Sequence, residues 1–268
     1  MTMSTQARLL TPDQIGTQAV RFPSGQPVPD ITDISVDPYW RTRMPKGVQV
    51  EGLQFWPQVK GKYPGLVLLH EWWGLNVQIK DLAARLAREG FTVLVPNLYV
   101  RQGGMVTASA DVAEALMART NEADLLQDIN SCCEFLNTQD AVSRNVHGVI
   151  GFGMGGTLAL RFGCVRKRLK AAVSFYGKTL SQPELLKDLV CPVLYHRAGA
   201  DRGVSDEDMD RLQRAAKEYN KRLEILTYPD APPGFCNETR KDTFRSEAAE
   251  SAWQATVTFL RECFKDAK

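Results

Sequence analysis

Between Gly47 and Trp56 apolar residues alternate with polar ones (Val48, Val50, Leu53, Phe55), which predicts a half-buried strand at the edge of a sheet. Further on, short apolar runs replace alternation. Leu66–Leu69 and Phe91–Val95 read as buried strands, the pattern of a parallel sheet, and Gly148–Gly151, Ala171–Phe175, Pro192–His196 and Leu223–Thr227 as four further strands. Helical periods fill the intervals. Ile79, Leu82, Ala83, Leu86 and Ala87 share one face of a helix stopped by Gly90, and Ser109–Leu136 carries two helices parted near Thr120-Asn121. Thr157–Phe162, Asp206–Tyr219 and Thr243–Phe264 complete the set. Strands alternating with helices predict an α/β fold, a mostly parallel central sheet with helices on both faces and right-handed crossovers. Residues 1–45 are rich in Pro, Gly, Thr, Ser and Asp and lack a period. They read as an irregular arm with a short strand at Gln18–Phe22, part of it docked by Tyr39 and Trp40, ahead of a single domain over 46–268.

Composition narrows the class. A chain of 268 residues, 44% hydrophobic, can bury one large core, and a net charge of +2 gives no basis for a nucleic-acid or anionic-membrane partner. No apolar run approaches the ~18 residues of a membrane span, and a secretory h-region is not seen at the start. The six cysteines lack framework spacing and read as free thiols in a reducing cytoplasm. His70, His147 and His196 have no ligand spacing, so neither a metal nor a cofactor is expected.

The informative stretch is Gly151-Phe152-Gly153-Met154-Gly155-Gly156, set between an apolar strand and a helix. As Gly151-x-Gly153-x-x-Gly156 it fits a dinucleotide fingerprint and a nucleotide-binding oxidoreductase. That reading wants an acid about 20 residues on, and Ala171–Lys178 holds none. As G-x-(nucleophile)-x-G it is the nucleophile elbow of an α/β-hydrolase, with glycine in the nucleophile's place. An elbow predicts Gly153 at the tip of a tight turn with positive φ, facing Asp201 and Pro233 across one cleft.

Several motifs support the elbow: His70-Glu71-x-x-Gly74-Leu75, Pro96-x-Leu98-Tyr99 with Arg101, Ser174-Phe175-Tyr176-Gly177, the Asp201 loop, and Tyr228-Pro229-x-Ala231-x-x-Gly234-Phe235. In this order the chain resembles the dienelactone hydrolase (carboxymethylenebutenolidase-like) family from about Gly47 onward. The resemblance implies an α/β-hydrolase fold and a Cys-His-Asp site acting on esters or lactones. In that family the elbow is G-x-C-x-G-G and the last loop typically reads A-x-H-G-F. Here Gly153 stands at the cysteine position and Pro233 at the histidine position, while Asp201 and Glu71 match. Glycine offers no attacking atom and proline no exchangeable proton, so the expectation is a pseudoenzyme that keeps an anion- or carbonyl-binding cleft. Its donors would be the N–H of Met154, the helix start near Gly155 and an N–H near Glu71-Trp72. Arg101 matches the position that grips a substrate carboxylate, and Trp72, Trp73, Tyr99 and Tyr176 are candidate walls. The expected ligand is a small carboxylate or a lactone- or ester-like molecule. The alternative is a working hydrolase using Glu71, Asp201 or Cys236; Cys164, two to three helical turns past the elbow, is too far. Ligand identity and oligomeric state stay open.

Overall fold

The structure is a computed structural model and describes residues 9–25 and 48–265. Strands β1 (Ile15–Pro23), β2 (Gln49–Pro57), β3 (Tyr63–Leu69), β4 (Thr92–Pro96), β5 (Val142–Phe152), β6 (Ala171–Phe175), β7 (Val193–Ala198) and β8 (Leu223–Tyr228) join in one sheet, ordered β1-β2-β4-β3-β5-β6-β7-β8. β1 and β2 run antiparallel to their neighbours, and the block from β4 to β8 is parallel. Helices α1 (Val77–Arg88), α2 (Ala110–Ala118), α3 (Glu122–Asn137), α4 (Met154–Val165), α5 (Asp206–Glu218) and α6 (Ser246–Phe264) connect them.

Adjacent strand residues point to opposite faces and so build two cores. Val67, Leu69 and Val149 meet α3, α4 and α5 on one side; Leu66, Leu68 and Ile150 meet α1 and α6 on the other. Helices therefore cover both faces, as the apolar runs required. Local chemistry sets the helix limits. Asn76 caps α1 by accepting from Ile79 N–H at 3.1 Å, and Gly90, at φ 93°, lets the chain leave after it. The break between α2 and α3 falls where Asn121 caps α3 through Asp124 N–H, and a Ser205–Asp208 capping box opens α5.

The strand expected over Gln18–Phe22 runs Ile15–Pro23 and pairs along its whole length with β2. This corrects the edge placement of Gly47–Trp56: β2 lies second in the sheet, between β1 and β4. Its alternation changes parity between Val50 and Leu53, and the two sides feed different cores, Val50 one and Leu53 and Phe55 the other. Periodicity reports which faces of a strand are buried; it carries no information on which edges are paired. Tyr39 and Trp40 lie outside the described residues.

Parallel strands place their C-terminal ends on one rim. The sheet order reverses around β3, so a crevice opens above β3 and β5, where α/β folds hold ligands.

Candidate functional site

At the end of β5 the chain turns at Gly153, φ 53° and ψ −114°, straight into α4. Its N–H donates to Phe175 O at 2.9 Å and its carbonyl accepts from Thr157 N–H at 3.1 Å. Close backbone contact dictates the flanking glycines. A Cβ at Gly151 would stand 1.9 Å from Gly155 O, and one at Gly155 would stand 2.5 Å from Leu69 O. At Gly153 the situation differs: a Cβ would meet nothing nearer than Glu71 Cγ at 3.9 Å. Space permits a side chain there, and only the positive φ favours glycine. The geometry is that of a nucleophile elbow. Because α4 begins at Met154, the N–H groups of Met154, Gly155 and Gly156 have no intrahelical acceptor, and the positive end of the helix faces the crevice.

That crevice is a cavity of about 690 Å³, and Gly153, Asp201 and Pro233 all line it, with Glu71, Trp72 and Met154. The three positions expected to share one cleft do share it. Asp201 follows β7, and its Oδ1 accepts from Gly203 N–H at 2.7 Å. Pro233 belongs to the turn-rich loop between β8 and α6.

Glu71 is buried, 5% exposed, at the end of β3. One carboxylate oxygen accepts from Tyr176 O–H at 3.0 Å and the other from Asn237 Nδ2–H at 2.8 Å. Burial raises its pKa above the ordinary glutamate value, while the bonds from Asn237 and Tyr176 and the Arg240 charge oppose that shift. Tyr176 reaches it from a left-handed conformation, φ 40°, uncommon for a non-glycine residue and a mark of a constrained site. The sequence singled out neither Asn237 nor Arg240. Their signal would have been polar residues within a loop already aligned to the site by Gly234-Phe235.

Arg101 is placed elsewhere. Its guanidinium pairs with the buried Asp128, approaches Asp124 at 3.7 Å and Ser24 Oγ at 3.4 Å, and does not line the cavity. Tyr99 is fully buried behind the wall, its hydroxyl donating to Trp72 O at 2.8 Å beside Met154 Sδ. It supports Trp72 and Met154 without facing the cavity itself.

The three histidines all lie among the described residues, and none lines the cavity. His70 accepts from Leu98 N–H through Nε2 at 3.0 Å, so Nδ1 carries the proton toward Glu71 O at 2.6 Å; burial lowers its pKa to about 4. His196 bonds Tyr228 Oη and Thr256 Oγ1, and burial takes its pKa to about 3. His147, beneath the sheet rim, is lowered to about 4 by burial and by Arg166. No cysteine lines the cavity either: Cys236 is buried, and burial with the nearby Glu71 charge pushes its thiol pKa well up. Among the described residues no group of His, Cys, Asp or Glu is set to hold a metal ion.

A family model described as "Dienelactone hydrolase family" matches residues 50–264. The chain belongs to the dienelactone hydrolase family. It is 30% identical over 223 residues to "Protein usf" of Aquifex pyrophilus, covering 81% of this chain and 94% of that one. Over 217 residues it is 26% identical to a "Putative carboxymethylenebutenolidase" of Methylorubrum extorquens, covering 77% and 74%. A crystal structure titled "Putative Dienelactone Hydrolase" from Klebsiella pneumoniae superposes with TM-score 0.79 at 22% identity, over 92% of this chain and 99% of that one. This last likeness shows the α/β-hydrolase fold. The glycine-rich turn thus sits in a dienelactone hydrolase frame, and β6, the neighbouring strand, ends without the acid a dinucleotide would need.

Proposed function

We propose that this dienelactone hydrolase family member is a pseudoenzyme: it has lost the family's Cys-His chemistry and keeps the cleft as a binding site for a small carboxylate or an ester- or lactone-like molecule. One observation carries the reading. The elbow residue has no side chain, and no thiol or imidazole of the chain lines the cavity above it. Acyl transfer by this fold requires a nucleophile and a base in hydrogen-bond reach of each other. Thr157, the hydroxyl next to the elbow, offers no substitute, since its Oγ1 contacts Gly153 O and accepts from Lys178 N–H at 2.9 Å.

What persists is the receiving half of the site. The start of α4 lies on the cavity wall at Met154, and a carbonyl oxygen or carboxylate bound at its N–H groups would be polarised without being attacked. Asp201, whose partner would have been an imidazole, caps its own loop through Gly203 instead. The six cysteines are all free thiols, which fits a reducing compartment such as the cytoplasm, and among the described residues no helix is long and apolar enough to cross a membrane.

A second reading has one observation in its favour. Glu71 is a buried carboxyl with a raised pKa on the cavity wall, the profile of a general base for water. p-Nitrophenyl acetate separates the two. A silent cleft gives no burst and no turnover above the buffer rate. Steady turnover abolished by Glu71→Gln would establish the general-base reading, and a stoichiometric burst would overturn both.

A further inference from the structure

A carboxylate in the cleft gains from a cation beyond the α4 N–H groups, and Arg101, the residue matching the family's carboxylate grip, is occupied with Asp128 and Asp124 away from the cavity. Two other cations line the cavity, Lys178 and Arg240. Lys178 stands exposed at the rim. Arg240 is held more firmly. Its guanidinium lies over the Trp73 ring at 4.6 Å and bonds Asp242 at 3.1 Å. Asp242 is 65% exposed, so this pair is weak and leaves most of the five N–H donors for a ligand.

The backbone beneath Arg240 is fixed before any ligand arrives. Arg240 N–H donates to Asn237 O at 3.0 Å, and its carbonyl accepts from Thr243 and Phe244 N–H at 3.1 and 2.8 Å. Asn237 in turn accepts from Thr239 and donates to Glu71. Little ordering remains to be done on binding. Much of the remaining wall is apolar, with Trp72, Met117, Leu125, Met154, Leu158 and Val204, and its two further carboxylates are engaged, Glu122 with Arg161 and Asp201 with Gly203 N–H. Cavities of a few hundred Å³ with apolar walls and few polar groups suit a drug-sized molecule.

Resting on the reading of a silent binding cleft, we propose that Arg240 is its anion anchor and that the ligand is a monocarboxylate with an aryl or alkyl body. The planar guanidinium matches a carboxylate, and its stacking on Trp73 keeps it at the cavity wall. Glu71 does not oppose the anion at full strength, because burial favours its neutral form and Tyr176 and Asn237 share its charge.

Calorimetric titration of the full chain with 4-phenylbutyrate, 4-phenylbutanol and butyrate tests this. The phenyl acid should bind at least about tenfold more tightly than the alcohol, as a charge-assisted bond requires, and butyrate more weakly than the phenyl acid. Arg240→Gln should remove the preference for acid over alcohol while leaving alcohol affinity unchanged, which also reports that the cleft is intact. Arg240→Lys should restore part of the preference, and Lys241→Gln, outside the main cavity, should leave it whole. Equal affinity for acid and alcohol, no binding of either, or a preference that survives Arg240→Gln would each overturn the assignment. Ester turnover would instead overturn the silent reading and leave the Arg240 result standing.

Discussion

On one side of the cleft, the turn at Gly153 is held by backbone packed on backbone, with Gly155 tight against Leu69 O and Gly153 N–H bonded to Phe175 O. On the other side, the loop from Pro229 to Arg245 folds on its own backbone turns, such as Arg240 N–H on Asn237 O, and is tied to Glu71 through the Asn237 side chain. On the proposed reading of a silent cleft, the contrast accounts for a site that keeps its shape without its chemistry. A turn whose form depends on main-chain contacts keeps that form whatever position 153 carries, and a side chain there meets only the cost of its positive φ. The tie between the loop and Glu71, which runs through one side chain, changes when that side chain changes.

The largest effect expected from this contrast is a gain. With the turn still shaped as an elbow, Gly153→Cys with Pro233→His should assemble a thiol and imidazole beside Asp201 over the surviving donors. The double variant should hydrolyse p-nitrophenyl acetate at about a hundredfold or more over the parent, and each single variant should do little, because the members act as a unit. A folded double variant with no gain would mean that the loop between β8 and α6 keeps position 233 out of reach of 153.

Next in size is a stability difference within the turn itself. Gly151→Ala drives a Cβ into the Gly155 carbonyl and should cost at least about 3 kcal/mol in urea unfolding. Gly153→Ala meets only open space and should cost the smaller ~1–3 kcal/mol of its positive φ. Equal losses would refute the claim that packing fixes the one glycine and conformation the other.

The smallest effect concerns Glu71. Its folded pKa lies above the unfolded one, so its share of stability is full below the unfolded value and is lost as pH rises through the folded value. The parent should therefore lose stability over that window, measured by thermal melts across pH, and Glu71→Gln should flatten the loss. A parent curve that matches the variant would place Glu71 among ordinary solvated carboxyls.

Much of this architecture was legible in the sequence because it follows from period and from backbone necessity. Apolar runs marked the buried strands, and the spacing of glycines marked a turn that only close packing explains. Glu71 and Asp201, named from the family-like motif after one strand and from the loop after another, both come to line the cavity. Arg101 was misdirected for a physical reason: its partner Asp128 sits on a separate helix, 27 residues on, and nothing in linear spacing reports that α3 turns Asp128 toward it. Asn237 and Arg240 lie in a loop without period, where a side chain's target is set by three-dimensional closure alone.

The pairing of β1 with β2 bears on how copies of the chain treat one another. Residues 15–23 occupy the whole outer edge of β2, from Ile15 opposite Pro57 to Pro23 opposite Gln49. A chain cut after Pro23 would bare a nine-residue row of unpaired N–H and C=O groups on β2, with Val50 and Phe55 beside it. Such an edge is a template for the same strand of a second molecule. The N-terminal segment thus covers that edge of β2, and the outermost strand of the sheet becomes β1 itself.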